Sequence, residues 1–255
     1  MESKNWNWQQ DDWPDFSYNK KKLGPIENEY TKESGISLGV MRHLDKENQD
    51  ELRIEIICNE ALKTSEIEGE FLDRDSLQSS ICKEFGVGEK YLHGNIKPEE
   101  AGIAMMMKDL HTNFNSPLSN ETLCAWHDKL FNGRTDLKRG KYRTSNDDMR
   151  IVSGRIDKPK IHFVAPPASK IPNEMDQFIS WFNITAPGGK TPLSPLTRAG
   201  ITHLYFVTIH PFEDGNGRIS RALTEKALSQ NLGKPTLIAL SSTISDKKKD
   251  YYKNR

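Results

Sequence analysis

Residues 200–209 and 219–228 are two apolar, helix-forming runs separated by only nine residues, His210-Pro211-Phe212-Glu213-Asp214-Gly215-Asn216-Gly217-Arg218. So short a linker predicts a helix–turn–helix corner. Pro211 lacks a backbone donor and biases His210 away from helical geometry, so the first helix ends there. Gly215 and Gly217 allow a tight turn and close approach of backbone to a ligand. The next helix starts near Gly215-Asn216, where unpaired N–H groups and the positive end of the dipole form an anion site. Arg218 and Arg221, at i and i+3, share one face and reach the same anion. Asp214 offers a hard oxygen suited to a Mg2+ ion bridging phosphates. His210, which titrates near neutrality, is the natural general base. An arbitrary Asp-Gly-Asn-Gly corner is usually just a solvated turn. The ordered set found here fits a site that holds a nucleotide polyphosphate and moves a proton beside it.

The stretch His210 to Arg221 resembles the signature of Fic-domain proteins, H-P-F-x-D/E-G-N-G/K-R-x-x-R, with every defined position matched. The resemblance implies a mainly α fold, a Fic-type helical bundle with a β-hairpin flap beside the active-site loop. It also implies transfer of AMP from ATP to a hydroxyl side chain (Ser, Thr or Tyr) of a target protein. In that reading His210 deprotonates the hydroxyl, Phe212 anchors the loop in the core and Asp214 binds Mg2+. Gly215, Asn216 and Gly217 form the anion nest, Arg218 contacts the β-phosphate and Arg221 the γ-phosphate. Relatives also remove AMP, or transfer UMP, phosphocholine or phosphate; Gly217, where kinase-like variants carry lysine, argues against the last. A different class of function stays open, a non-catalytic module that senses nucleotide or binds partners.

Upstream, residues 49–68 read as a helix, with Leu52, Ile56, Ile57 and Ala61 recurring between charged residues and Gly69 as its C-terminal cap. Thr64-x-x-x-Glu68-Gly69 fits the inhibitory motif S/T-x-x-x-E-G/N that one class of Fic proteins carries ahead of the core. A carboxylate paired with Arg221 would occupy the guanidinium that otherwise clamps the γ-phosphate.

The hairpin flap is assigned to two β-prone runs, Arg150-Ile151-Val152-Ser153 and Ile161-His162-Phe163-Val164, with residues 154–160 as a polar loop. By resemblance, Ile151, Val152, Ile161, His162 and Phe163 dock an extended target segment by edge pairing. Further helices are expected at 26–45, 75–85, 97–114, 120–131 and 172–183, with Ser119 or Asn120 capping the helix at 120–131 and Met105 to Met107 filling core. Residues 123–131 and Gly140 to Arg143 are also similar to Fic cores in order and spacing. His203, His210 and Asp214 lack a third nitrogen or sulfur ligand at zinc-like spacing, so zinc is set aside. His203, His93, His111, His127 and His162 read as hydrogen-bonded core histidines.

The first 24 residues are polar and irregular. Their aromatics Trp6, Trp8, Trp13 and Phe16 read as packing onto a neighbour, and Lys20 to Lys22 as a solvated loop. The opening Trp-Asn-Trp-Gln-Gln-Asp-Asp-Trp-Pro also resembles a small domain of unknown function found ahead of Fic cores. Four segments follow: 1–48, the Trp-containing segment; 49–95, the inhibitory helix and connector; 96–245, the Fic core; and 246–255, the start of a helix that longer relatives continue. Lys plus Arg and Asp plus Glu both total 36, so no global field points to nucleic acid or to a membrane surface. Cys58, Cys82 and Cys124, an odd and scattered set, read as reduced thiols. With no apolar leader, the expected location is cytoplasmic. A homodimer is left open.

Overall fold

The computed structural model describes residues 6–87, 96–145, 147–155 and 158–253. Its helices are α1 (Lys20–His43), α2 (Lys46–Ile67), α3 (Arg74–Phe85), α4 (Pro98–Thr112), α5 (Asn120–Leu130), α6 (Ile171–Ile184), α7 (Pro195–Ile209), α8 (Asn216–Leu232), α9 (Leu240–Asp246) and α10 (Lys248–Lys253). Strands β1 (Arg150–Arg155) and β2 (Lys158–Val164) form one antiparallel hairpin.

Helix α8 is the axis of the structure. Every residue from Asn216 to Gln230 is buried, the charged and polar ones between Ile219, Leu223 and Leu228 included. Such a helix is stable only if each buried polar group finds a partner. The Lys226 ammonium donates to the carbonyls of Asn113 and Phe114 at 2.7 and 2.9 Å, and burial pushes its pKa down to about 8. Gln230 accepts from Arg198 of α7 at 2.7 Å. Helices α2, α4, α5, α7 and α9 all pack on α8. Phe178, Phe182, Tyr205, Phe206 and Ile209 fill the core on the α6–α7 side, and Trp126 donates its indole N–H to Asp109 at 2.6 Å.

The N-terminal segment is bolted to this core. Trp13 meets Tyr205 edge to face at 5.1 Å and donates to Glu174 at 3.0 Å, while Phe16 packs on the same tyrosine. Glu27 of α1 caps α7 in place of a local side chain: its carboxylate accepts the N–H groups of Leu196 and Thr197 and the Thr197 hydroxyl at 2.7–2.9 Å. Burial acts to raise the Glu27 pKa, yet these hydrogen bonds hold it below its usual value.

Two expectations are corrected. Lys20 to Lys22 form the first turn of α1, not a loop, because Asn19 accepts the Lys22 N–H and supplies the N-cap. The hairpin strands run past the expected four residues, since Gly154 to Arg155 pairs with Lys158 to Pro159. The ladder shifts register between Ile151 and Val152, so Ile151 opposes Phe163, Val152 opposes Ile161, and His162 is the extra residue of a bulge. Among the described residues no helix is long and apolar enough to cross a membrane.

Candidate active site

Helix α7 ends at His210, the one non-glycine residue with positive φ among those described (φ 52, ψ 58). A histidine tolerates this left-handed geometry better than a branched residue, and it turns the chain sharply into Pro211. The imidazole Nδ1 lies 3.2 Å from the Val207 carbonyl, a contact that places the proton on Nδ1 and makes Nε2 the basic nitrogen. The His210 carbonyl accepts from Arg143 Nε at 2.8 Å, and the Arg143 N–H donates to the Pro211 carbonyl at 2.9 Å. Arg143 also donates to the Pro166 carbonyl just beyond β2, so one buried guanidinium joins the base of the hairpin to the His210 loop. Burial lowers its pKa without any carboxylate partner to offset it.

Phe212 is fully buried and stacks on His127 at 4.2 Å, so it anchors the loop as the resemblance implied. His127 accepts the Gly140 N–H on Nδ1, and burial pulls its pKa down to about 4, so it stays neutral. The Asn216 side chain clasps the loop from the other end: its amide donates to the Phe212 carbonyl and its oxygen accepts the Phe212 N–H, at 2.9 and 3.0 Å. Asn216 therefore shapes the nest as well as contributing backbone to it.

Gly215 begins α8 with φ 77, and a Cβ there would come within 2.7 Å of Phe131 Cε2, so both conformation and space demand glycine. No side chain caps α8, which leaves its first-turn N–H groups for an anion. Arg218 is buried against the Phe131 ring at 4.8 Å, and its Nε has no hydrogen-bond partner. An orphaned buried donor beside an uncapped helix start fits a phosphate site. Asp214 faces solvent at the same corner, its Oδ1 accepting the Gly215 N–H at 2.6 Å. One exposed carboxylate suits Mg2+ shared with substrate phosphates; among the described residues no three His, Cys, Asp or Glu side chains gather into a metal cage.

Helix α2 reaches this corner across the sequence. It closes in a Schellman turn, with Gly69 at φ 87, the Gly69 N–H on the Glu66 carbonyl and the Glu70 N–H on the Ser65 carbonyl. That turn aims two carboxylates at α8. Glu68 accepts from Arg221 Nη1 at 2.8 Å, while Thr64 accepts from Nε through its hydroxyl at 2.6 Å and from Nη2 through its carbonyl at 2.8 Å. Glu68 also covers Gly217, where any added Cβ would overlap its Oε1. Glu70, which the motif did not single out, pairs with Arg218. The clue was its spacing, two residues past Glu68 across a glycine.

Other expected residues are placed as follows. His203 is held by Tyr251 and Ser220 at 2.7 and 2.8 Å. His162 is exposed rather than core, because the bulge puts it on the open side of the hairpin. Val152 is half exposed, whereas Ile151, Ile161 and Phe163 are partly covered; Trp6 packs on Phe163 and Trp8 donates to the Val164 carbonyl. His111 is buried 3.0 Å from Glu225, yet neither ring nitrogen is in hydrogen-bond geometry. His93 lies outside the described residues.

Residues 117–228 match the Fic/DOC family, and residues 6–87 match a domain of unknown function, DUF4172, a span that takes in α1, α2 and α3. The chain is similar to the protein adenylyltransferase fic-1 of Caenorhabditis elegans, 20% identical over 150 residues, and to a probable protein adenylyltransferase of Aquifex aeolicus, 30% identical over 113. Those matches take in 59% and 44% of this chain but only 27% and 30% of the relatives' length. A Fic family protein of Desulfovibrio desulfuricans has the same fold, with a TM-score of 0.65 at 22% identity over 93% of this chain and 66% of that one. A Fic domain containing signaling protein from Bacteroides thetaiotaomicron also gives 0.65, at 19% identity, over 87% of this chain and 79% of that one. Residues 117–228 therefore carry a Fic domain, with a DUF4172 domain ahead of it at 6–87, and the helical bundle around the His210 loop has the fold of the Fic-family structures.

Proposed function

We propose that this chain transfers AMP from Mg2+-bound ATP to a serine, threonine or tyrosine hydroxyl of a target protein, and that Glu68 restrains it. The observation that carries the proposal is the head of α8. There an uncapped helix start, two buried arginines on one face and the base-bearing His210 loop converge.

In this reading the first-turn N–H groups of α8 and the guanidinium of Arg218 hold the inner phosphates, and Arg221 holds the γ-phosphate. Asp214 would hold Mg2+, which neutralises charge on the leaving pyrophosphate. His210 Nε2 takes the proton of the target hydroxyl as its oxygen bonds to the α-phosphorus. The bond from that phosphorus to the bridging oxygen of pyrophosphate breaks, and AMP remains on the target. Arg143 and Asn216 fix the loop from both ends, so the base is positioned before substrate arrives. The hairpin, tied to the same loop through Arg143, pairs with an extended target segment along an edge. With Glu68 on Arg221, the γ-phosphate loses its clamp and the α-phosphorus is out of line for attack.

The test compares ATP labelled at the α- and γ-phosphates, using a Glu68→Gly chain with and without His210→Ala. Label on protein from α-labelled ATP only, lost with His210→Ala, is the expected result. Label from γ-labelled ATP, or none from either, would refute adenylyl transfer.

A further inference from the structure

A second concentration of positive charge lies away from the α8 head. A cavity of about 400 Å3 opens between the end of α1, the start of α2 and the segment that follows α8. Arg42, Arg53 and Lys234 line it, and no acidic side chain does. Arg42 and Lys234 have no ion-pair partner among the described residues, and the one carboxylate recorded near Arg53 is Asp50 at 3.9 Å. Two of these three cations line a common space without counter-charge, and an anion there relieves the repulsion among them.

The floor supplies an independent sign of a ligand. His111 lines the cavity and its side chain is only 5% exposed; Nε2 lies 3.0 Å from Glu225 outside hydrogen-bond geometry, and Nδ1 has no hydrogen-bond partner. Glu225 accounts for Nε2, but the buried Nδ1 has no partner and can meet a ligand group. The walls are mixed, with Leu237 and other apolar side chains beside the charges. A volume at the low end of small-molecule sites is too large for a bare oxyanion and suits an organic body attached to one. From these observations we infer a binding site for a small phosphomonoester of mononucleotide size, with its phosphate on Arg42, Arg53 and Lys234 and its body on the apolar wall. The floor of this site, His111 of α4, adjoins the helices that carry the Glu68–Arg221 pair. His111 abuts Glu225, one turn beyond Arg221 on α8, and Glu225 interacts electrostatically with Glu60, one turn before Thr64 on α2.

Calorimetric titration of the full chain with AMP tests the inference, because its readout does not depend on catalysis. Arg42 and Lys234 are exposed, so an Arg42→Ala/Lys234→Ala chain keeps its core. It should bind AMP at least about tenfold more weakly, since each lost charge-assisted contact is worth about that factor. Arg42→Lys/Lys234→Arg should retain binding, and raising salt should weaken it. Arg218→Ala, which disables the α8 head, should leave this binding in place. Binding lost in Arg218→Ala but kept in Arg42→Ala/Lys234→Ala puts AMP at the α8 head and overturns the inference, as does absence of AMP binding to the unaltered chain.

Discussion

Replacing Glu68 by glycine removes one partner from a three-contact clamp on Arg221, and the structure sets the size of the effect. Glu68 supplies the hydrogen bond to Nη1, whereas Thr64 supplies those to Nε and Nη2. The guanidinium therefore stays oriented when Glu68 is gone, and Nη1 becomes available to a phosphate. Arg221 is fully buried and the Glu68 side chain is 28% exposed, so the pair is neither a weak surface contact nor a sealed one. A charge-assisted hydrogen bond of this kind contributes about 1.5–3 kcal/mol, which corresponds to roughly tenfold to a hundredfold in rate. The second carboxylate adds less: Glu70 on Arg218 is a third exposed, so its release is worth about 1 kcal/mol or less. Because the two pairs share one site, Glu68→Gly and Glu70→Ala should combine less than additively. Incorporation of label from α-labelled ATP into the chain itself is the assay. Glu68→Gln separates charge from occlusion: it keeps a side chain over Gly217 while removing the ion pair. An intermediate rate means that both matter. The gain should vanish when Arg221→Ala is added to Glu68→Gly. A gain that survives Arg221→Ala, or no gain at all, refutes the clamp.

Four further outcomes follow from the geometry. His210→Ala should reduce transfer by about 10²–10⁴-fold with ATP affinity nearly unchanged, read by labelling and equilibrium binding, since the base acts on the hydroxyl. Asp214→Ala should weaken Mg2+-dependent ATP binding and transfer together, and undiminished activity in EDTA would contradict its assigned role. Glu27→Ala removes three buried hydrogen bonds at the start of α7; a loss of about 2 kcal/mol should lower Tm by roughly 4–8 °C, and an unchanged melt would discount the cap. Burial, with Glu225 as the next cause, pushes the Glu60 carboxyl up to about 7, so the folded chain holds a proton there that the unfolded chain releases from about pH 4.5. That contribution is present at low pH and is lost as pH rises toward neutrality. Unfolding in urea at pH 5 and pH 7.5 should therefore show a fall on the order of 2–3 kcal/mol that Glu60→Gln abolishes, measured against the opposite trend of neutral His127. An equal pH slope in both chains would rule it out.

What the sequence determined by itself was local. The proline and glycines of the 210–218 loop set where α7 stops and α8 starts, because they act through φ and through hydrogen bonds within a few residues. The α2 helix, its Gly69 end and the alternating runs of the hairpin were legible for the same reason. Side-chain partners distant in sequence were not. Three glutamates stand at 66, 68 and 70, and nothing in their order says that Glu66 pairs with Lys63 on the surface while its neighbours face α8. The left-handed turn at Gly69 and the packing of α2 on α8 decide that. Likewise Glu27 reads as one charge on a polar helix, yet it caps a helix about 170 residues away. Helix α8 carries Arg218, Arg221, Glu225, Lys226 and Gln230 beside its apolar residues, yet all of them are buried. Hydrophobic periodicity reports how a helix would meet water, and it fails where other segments of the chain supply the hydrogen bonds that water would otherwise make.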